Sequence, residues 1–152
     1  MTAKIALEIF WAFGASACCA FYFNAEKKDA LIASALAGVG WFLFCVFKIN
    51  GAHESFGCFC ASCAVASGAE AFAVIVKRPA TVYLVPGIIP LVPGGGVFLM
   101  MRSAVQGDFS ASLSYGYGAL GAAVAIALGI AIASSVARTV RAAIAKHRGV
   151  HR

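Results

Sequence analysis

Charge is what this chain has least of. Only 12% of its 152 residues are Asp, Glu, Lys or Arg, while 62% are hydrophobic. A soluble domain carries about 25% charged residues. The mean hydropathy is +0.89, and whole segments carry no charge, which excludes a water-soluble globule and places the chain in the membrane class. Catalytic patterns are missing too. The sequence has no Ser-His-Asp arrangement, no carboxylate pair and no phosphate-cradling glycine loop followed by lysine, so it points away from an enzyme and toward no cofactor.

What is present is a series of apolar runs. Crossing a hydrocarbon core of about 30 Å takes ~20 helical residues. Five stretches suffice: Ile5–Phe23, Ala30–Phe47, Gly57–Val76, Thr81–Met101 and Tyr115–Ala137. The fold class expected is therefore all-α, a polytopic membrane protein of five spans. Residues 1–137 form a single membrane domain and 138–152 a basic tail. Glu8 interrupts the start of the first run and Lys27–Lys28 follow it, which favours an uncleaved span over a signal peptide.

The net charge of +6 comes from an uneven distribution. In a five-span arrangement, 9 of the 12 Lys and Arg fall on one side: Lys27, Lys28, Lys77, Arg78, Arg138, Arg141, Lys146, Arg148 and Arg152. The positive-inside rule then predicts a cell-membrane protein with its N-terminus outside and its C-terminus cytoplasmic. The tail reads as a topology anchor against anionic lipid rather than a nucleic-acid contact.

Cysteine does not form a disulfide framework here. Cys18, Cys19, Cys45, Cys58, Cys60 and Cys63 lie within or at the edge of apolar spans, where cysteine behaves as a small hydrophobe. On a helix, Cys60 and Cys63 share a face that Cys58 does not, and only His53 is near, so a metal site is not expected. Small residues recur elsewhere as well. Gly121, Ala125, Gly129 and Ala133 form a small-xxx-small ribbon in the fifth span, and Gly57, Ala61, Ala64 and Gly68 thin the third.

Two features point to function. The first is the fourth span, TVYLVPGIIPLVPGGGVFLMM, where Pro86, Pro90 and Pro93 remove backbone donors and Gly87 and Gly94–Gly96 weaken the helix further. A discontinuous helix is tolerated at membrane depth only where protein or a watery cavity satisfies the freed groups, and such breaks mark transport sites. Freed carbonyls there suit a substrate amine, and a half-helix N-terminus suits a carboxylate. The second is Glu70, in the third span on a stripe with Cys60, Cys63, Ser67 and Lys77. It reads either as a protonatable coupling or substrate-contacting group or as an interhelical partner. Glu8 is explained by the helix N-terminus beside it, Lys48 by snorkelling, and Arg102 and Asp108 as loop charges.

Arg78-Pro79, followed by Val85-Pro86-Gly87-Ile88-Ile89-Pro90-Leu91-Val92-Pro93-Gly94, resembles the signature of the threonine/serine exporter family. Within that family, size and span count match the short membrane subunit that corresponds to the C-terminal half of full-length exporters. The resemblance implies a secondary exporter of small amino or organic acids, working with a larger partner subunit or as a homo-oligomer. It carries over Pro86, Gly87, Pro90, Pro93 and Gly94 as substrate-site positions; Glu70 joins them on burial alone. The rival expectation is a non-transporting scaffold subunit whose broken helix is purely architectural.

Overall fold

The computed structural model describes the backbone of residues 2–149 and the side chains of residues 4–143. It is 88% helical, with no strand among the described residues. The elements are α1 (Thr2–Tyr22), α2 (Lys27–Ile49), α3 (Glu54–Val76), α4 (Thr81–Ile88), a 3-10 turn (Ile89–Leu91), α5 (Gly94–Val105) and α6 (Phe109–Gly149). Four helices are long and apolar enough to span a membrane, and α4 with α5 makes a fifth, bent by 46°.

Short connections turn each helix back on its predecessor. Asn24, Gly51 and Gly107 take positive φ at the turns, and Asp108 caps α6 by accepting from the Ala111 amide at 3.0 Å. Lys77 also takes the left-handed conformation, at φ 58, where it ends α3 and turns the chain toward Arg78. The result puts the α1–α2 and α3–α4 connections at one end of the bundle with the basic half of α6. Arg78 meets Glu26 there, and Arg141 meets Glu70.

Inside the bundle α3 is central, touching α2, α4 and α6, while α1 lies against α2 and α5 against α6. Lipid tails are as apolar as leucine, so close backbone approach rather than water exclusion must hold such helices together. The core accordingly consists of Ala33, Ala37, Ala61, Ala69, Ala122 and other small residues, with Tyr83 and Val65 the largest fully buried side chains. The ribbon on the fifth span packs as its spacing implies. A Cβ added to Gly129 would lie 2.8 Å from the Phe59 carbonyl oxygen and 3.2 Å from the Cys63 nitrogen.

The basic segment after residue 137 is helical, since α6 continues without a break to Gly149. Ala, Arg and Lys dominate that stretch, and no glycine or proline interrupts it before Gly149. Residues 150–152, including Arg152, and the side chains of Lys146 and Arg148 lie outside the described residues.

The fourth span breaks at a different point from the one expected. Pro86 sits inside α4 and Pro90 inside the 3-10 turn, so neither ends the helical path. Only Val92 adopts an extended conformation, φ −61 and ψ 129, as the residue before a proline prefers. Gly94–Gly96 do not loosen a helix but open a new one, α5.

Gly129→Leu is expected to pry α3 from α6, because the obstructing atoms are backbone and cannot rotate away. The cost expected is at least ~1–3 kcal/mol, read as a lower unfolding midpoint in detergent. Gly118→Leu, on the same helix with nothing within 4 Å, should leave that midpoint unchanged.

Candidate functional site at the helix break

At Val92–Pro93 the chain passes from the α1–α2–α3 side of the bundle to α6. Tyr83, Pro86 and Gly87 of α4 are buried, whereas α5 buries no residue. The bend opens a cavity of about 340 Å³ lined by Pro90, Pro93, Gly95 and Gly96 of the broken span. The other helices contribute Glu8, Trp41, Lys48, Glu54 and Tyr115 to the same cavity. Glu8 and Lys48 belong to the end of the bundle opposite Arg78, so the break lies toward that end rather than midway along the helices.

Glu8 does more here than balance a helix terminus. Its Oε2 accepts from Trp41 Nε1 at 3.4 Å and from Cys45 Sγ at 3.5 Å. These contacts hold the carboxylate between α1 and α2 at the cavity wall. Across the cavity, Gly95 and Gly96 are in the first turn of α5, where helix geometry leaves amide donors without intrahelical partners. Lys48 adds a cation, its Nζ 5.7 Å from the centre of the Phe44 ring. A carboxylate wall facing amide donors and an ammonium is an environment for a small molecule carrying both charges.

The structure divides the residues anticipated from sequence. Pro90 and Pro93 line the break cavity. Pro86 lines a different one, beside Arg78. Gly87 packs against α3, where an added Cβ would stand 2.9 Å from Val65 Cγ1, whereas a Cβ added to Gly94 would meet nothing within 4 Å. Glu70 lies apart from all of them, in a groove between α3 and α6 with Ser67, Val136 and Arg141. Arg141 donates to its Oε2 at 2.5 Å and to its backbone carbonyl at 2.7 Å. The side chain of Glu70 is 13% exposed and that of Arg141 43%. This geometry fits an interhelical partner.

With that arrangement established, comparison with known families is informative. The model of the family described as threonine/serine exporter, ThrE, matches residues 8–136. The chain belongs to the threonine/serine exporter family. Comparisons with curated proteins and with solved structures returned no match. Membership makes this a multi-pass membrane protein of exporter type. The matched stretch takes in the whole broken span, Glu8 and Glu70, and stops before Arg141.

Sequence reasoning about this exporter undervalued one residue and overlooked another. Glu8 looked like a shallow helix-end charge; only the approach of α2 and Pro90 makes it part of a cavity. Asp29 falls one residue before the apolar run Ala30–Phe47, yet it lies in the first turn of α2 and is only 3% exposed. Its Oδ1 accepts from the fully buried Tyr83 hydroxyl at 2.7 Å, tying α4 to α2. The apolar neighbours Ala30 and Leu31 were the available signal that Asp29 starts a span. Cys63, considered for metal binding, instead donates to the Gly129 carbonyl at 3.4 Å. His53 caps α3, accepting from the Ser55 amide at 3.4 Å.

A double-mutant cycle between Glu70→Gln and Arg141→Gln should return a coupling of about 1 kcal/mol, the scale of a partly exposed ion pair. The measurement is reversible unfolding in mixed micelles. Additive effects of the two substitutions would show that the pair contributes nothing to α3–α6 association.

Proposed function

We propose that this chain is one subunit of a secondary transporter that exports threonine, serine or a related small amino or organic acid. It acts with a larger exporter-like subunit or a second copy of itself. The observation that carries the reading is the break cavity, which sets Glu8 and Glu54 against the first-turn amides of α5 and Lys48. Glu8 and Glu54 receive the substrate ammonium, while the Gly95 and Gly96 amides receive the carboxylate. Pro93 holds the wall open by keeping Val92 extended, Pro90 lines that wall, and Pro86, Gly87 and Gly94 set the path of the backbone on either side. Glu70 holds α6 to α3 outside this cavity.

Alternating access follows from the way the two halves of the broken span are packed. α4 is bound to α1, α2 and α3, and α6 is locked to α3, whereas α5 packs on α6 alone. A hinge at Val92–Pro93 that shifts α5 over α6 widens or closes the cavity without disturbing α4. The basic end of the bundle, with Lys27, Lys28, Lys77 and Arg78, faces the cytoplasm by the positive-inside rule, which leaves the N-terminus outside.

Counterflow of labelled threonine in proteoliposomes, with and without the larger subunit, tests this reading. Gly95→Leu places a side chain in the cavity and is expected to reduce counterflow at least tenfold. Glu8→Gln should raise the half-saturating threonine concentration by roughly tenfold, as expected for losing one charge-assisted hydrogen bond worth about 1.5 kcal/mol. Equal background uptake by wild type and Gly95→Leu across small amino and organic acids would identify a scaffold subunit instead.

A further inference from the structure

A second cavity, of about 410 Å³, lies at the basic end between the α1–α2 and α3–α4 connections, lined by Glu26, Asp29, Arg78, Thr81, Val82 and Pro86 among others. It is separate from the break cavity. This cavity runs along α4 from Thr81 to Pro86, whereas the break cavity begins beyond α4 at Pro90, with Gly87 packed against Val65 between them.

The groups in this cavity are incompletely satisfied in a way that suits a particular ligand. The Asp29 side chain is only 4% exposed. Its Oδ1 is engaged by Tyr83. Its Oδ2 accepts no hydrogen bond among the described residues; Arg78 Nε stands 3.8 Å away, beyond hydrogen-bonding range. That oxygen keeps unused acceptor capacity on a nearly buried side chain, and an ammonium is the strongest donor that can fill it. Arg78, for its part, reaches outward to Glu26. That contact raises the pKa of Arg78 further above its already high ordinary value, so the guanidinium is always charged. Glu26 is 63% exposed, however, and an exposed ion pair of this kind exchanges readily because water solvates both partners. A guanidinium has five donors in a planar fork matched to carboxylate, so it can turn from Glu26 to a ligand.

We propose that this cavity is a second recognition site for a small zwitterionic α-amino acid, with Asp29 taking the ammonium and Arg78 the carboxylate. The choice of substrate class rests on the exporter reading; the site rests on the geometry. Opposite charges facing each other across 3.8 Å match a molecule that bears both charges on one carbon and its neighbour. A simple anion meets Glu26 and Asp29 as repulsion, and a simple amine leaves Arg78 with nothing new. Thr81, in the first turn of α4, adds a hydroxyl toward a hydroxylated side chain. At the basic end such a site loads the transporter before the ligand passes along α4.

The test needs no transport. The full chain carrying Val82→Cys, in detergent micelles, is treated with a maleimide, and modification of residue 82 is followed by peptide mass spectrometry, which separates it from the native cysteines. Threonine at millimolar concentration is expected to slow that modification at least threefold. Threoninol, which lacks the carboxylate, and 2,3-dihydroxybutyrate, which lacks the ammonium, should not. Asp29→Asn, which keeps an acceptor for Tyr83, and Arg78→Gln should each remove the protection, measured against each variant's own rate without ligand. Absence of protection by threonine overturns the proposal. So does protection that survives both substitutions, because it would then arise from ligand at the break. Protection retained in Gly95→Leu, with counterflow lost, supports two sites; protection in a wild type that shows no counterflow would sink the exporter reading and leave this site standing.

Discussion

Val65 of α3 is wedged between two glycines, and the bundle is arranged around that contact. A Cβ on Gly40 of α2 would lie 2.6 Å from Val65 Cγ2, and one on Gly87 of α4 2.9 Å from Cγ1. One branched side chain thus fixes the approach of two neighbouring helices. On another face of α3, Gly129 of α6 comes so close that Ser62 Oγ occupies the space of its missing side chain. Since lipid offers no hydrophobic drive for helices to associate, this interlocking of small and branched residues supplies the association.

The position of α4 follows from α3. Clamped by Val65 through Gly87 and by Asp29 through Tyr83, the first half of the broken span is an interior element. The second half is not, because Val97, Phe98, Met101 and Val105 of α5 are exposed apolar residues and the helix leans on α6. A chain that changes partners in mid-span must interrupt its hydrogen-bond ladder, and the interruption is tolerable only beside groups that can replace the lost bonds. The polar walls of the break cavity meet that need, and the same donors and acceptors are available to a ligand.

Charge placement divides the molecule in two. At the basic end arginines bind Glu26 and Glu70, while Asp29 has Arg78 at 3.8 Å with no hydrogen bond between them. At the other end the hydrogen bonds to Glu8 come, among the described residues, from the neutral donors of Trp41 and Cys45. A carboxylate without a cation partner is the better prepared to receive one from a ligand. In this respect Glu8 differs from Glu70, whose Arg141 partner already occupies both its side chain and its carbonyl.

Much of this was legible in the residues themselves. Runs of ~20 apolar residues dictate spanning helices because a peptide group in lipid has no other way to satisfy its hydrogen bonds. The glycine and alanine ribbon of α6 declares a close helix contact, and the Pro-Gly signature locates a broken span and its family. The residue at which that span breaks was not legible, since proline tolerates a helix, a 3-10 turn or an extended neighbour, and packing of Gly87 against α3 selected among them. Nor could spacing along single helices show that Glu8 belongs with Pro90, that Glu70 belongs with Arg141, or that Asp29 is buried under Tyr83. Those pairings join residues 54 or more positions apart in sequence, and only the close packing of whole helices brings such side chains within reach.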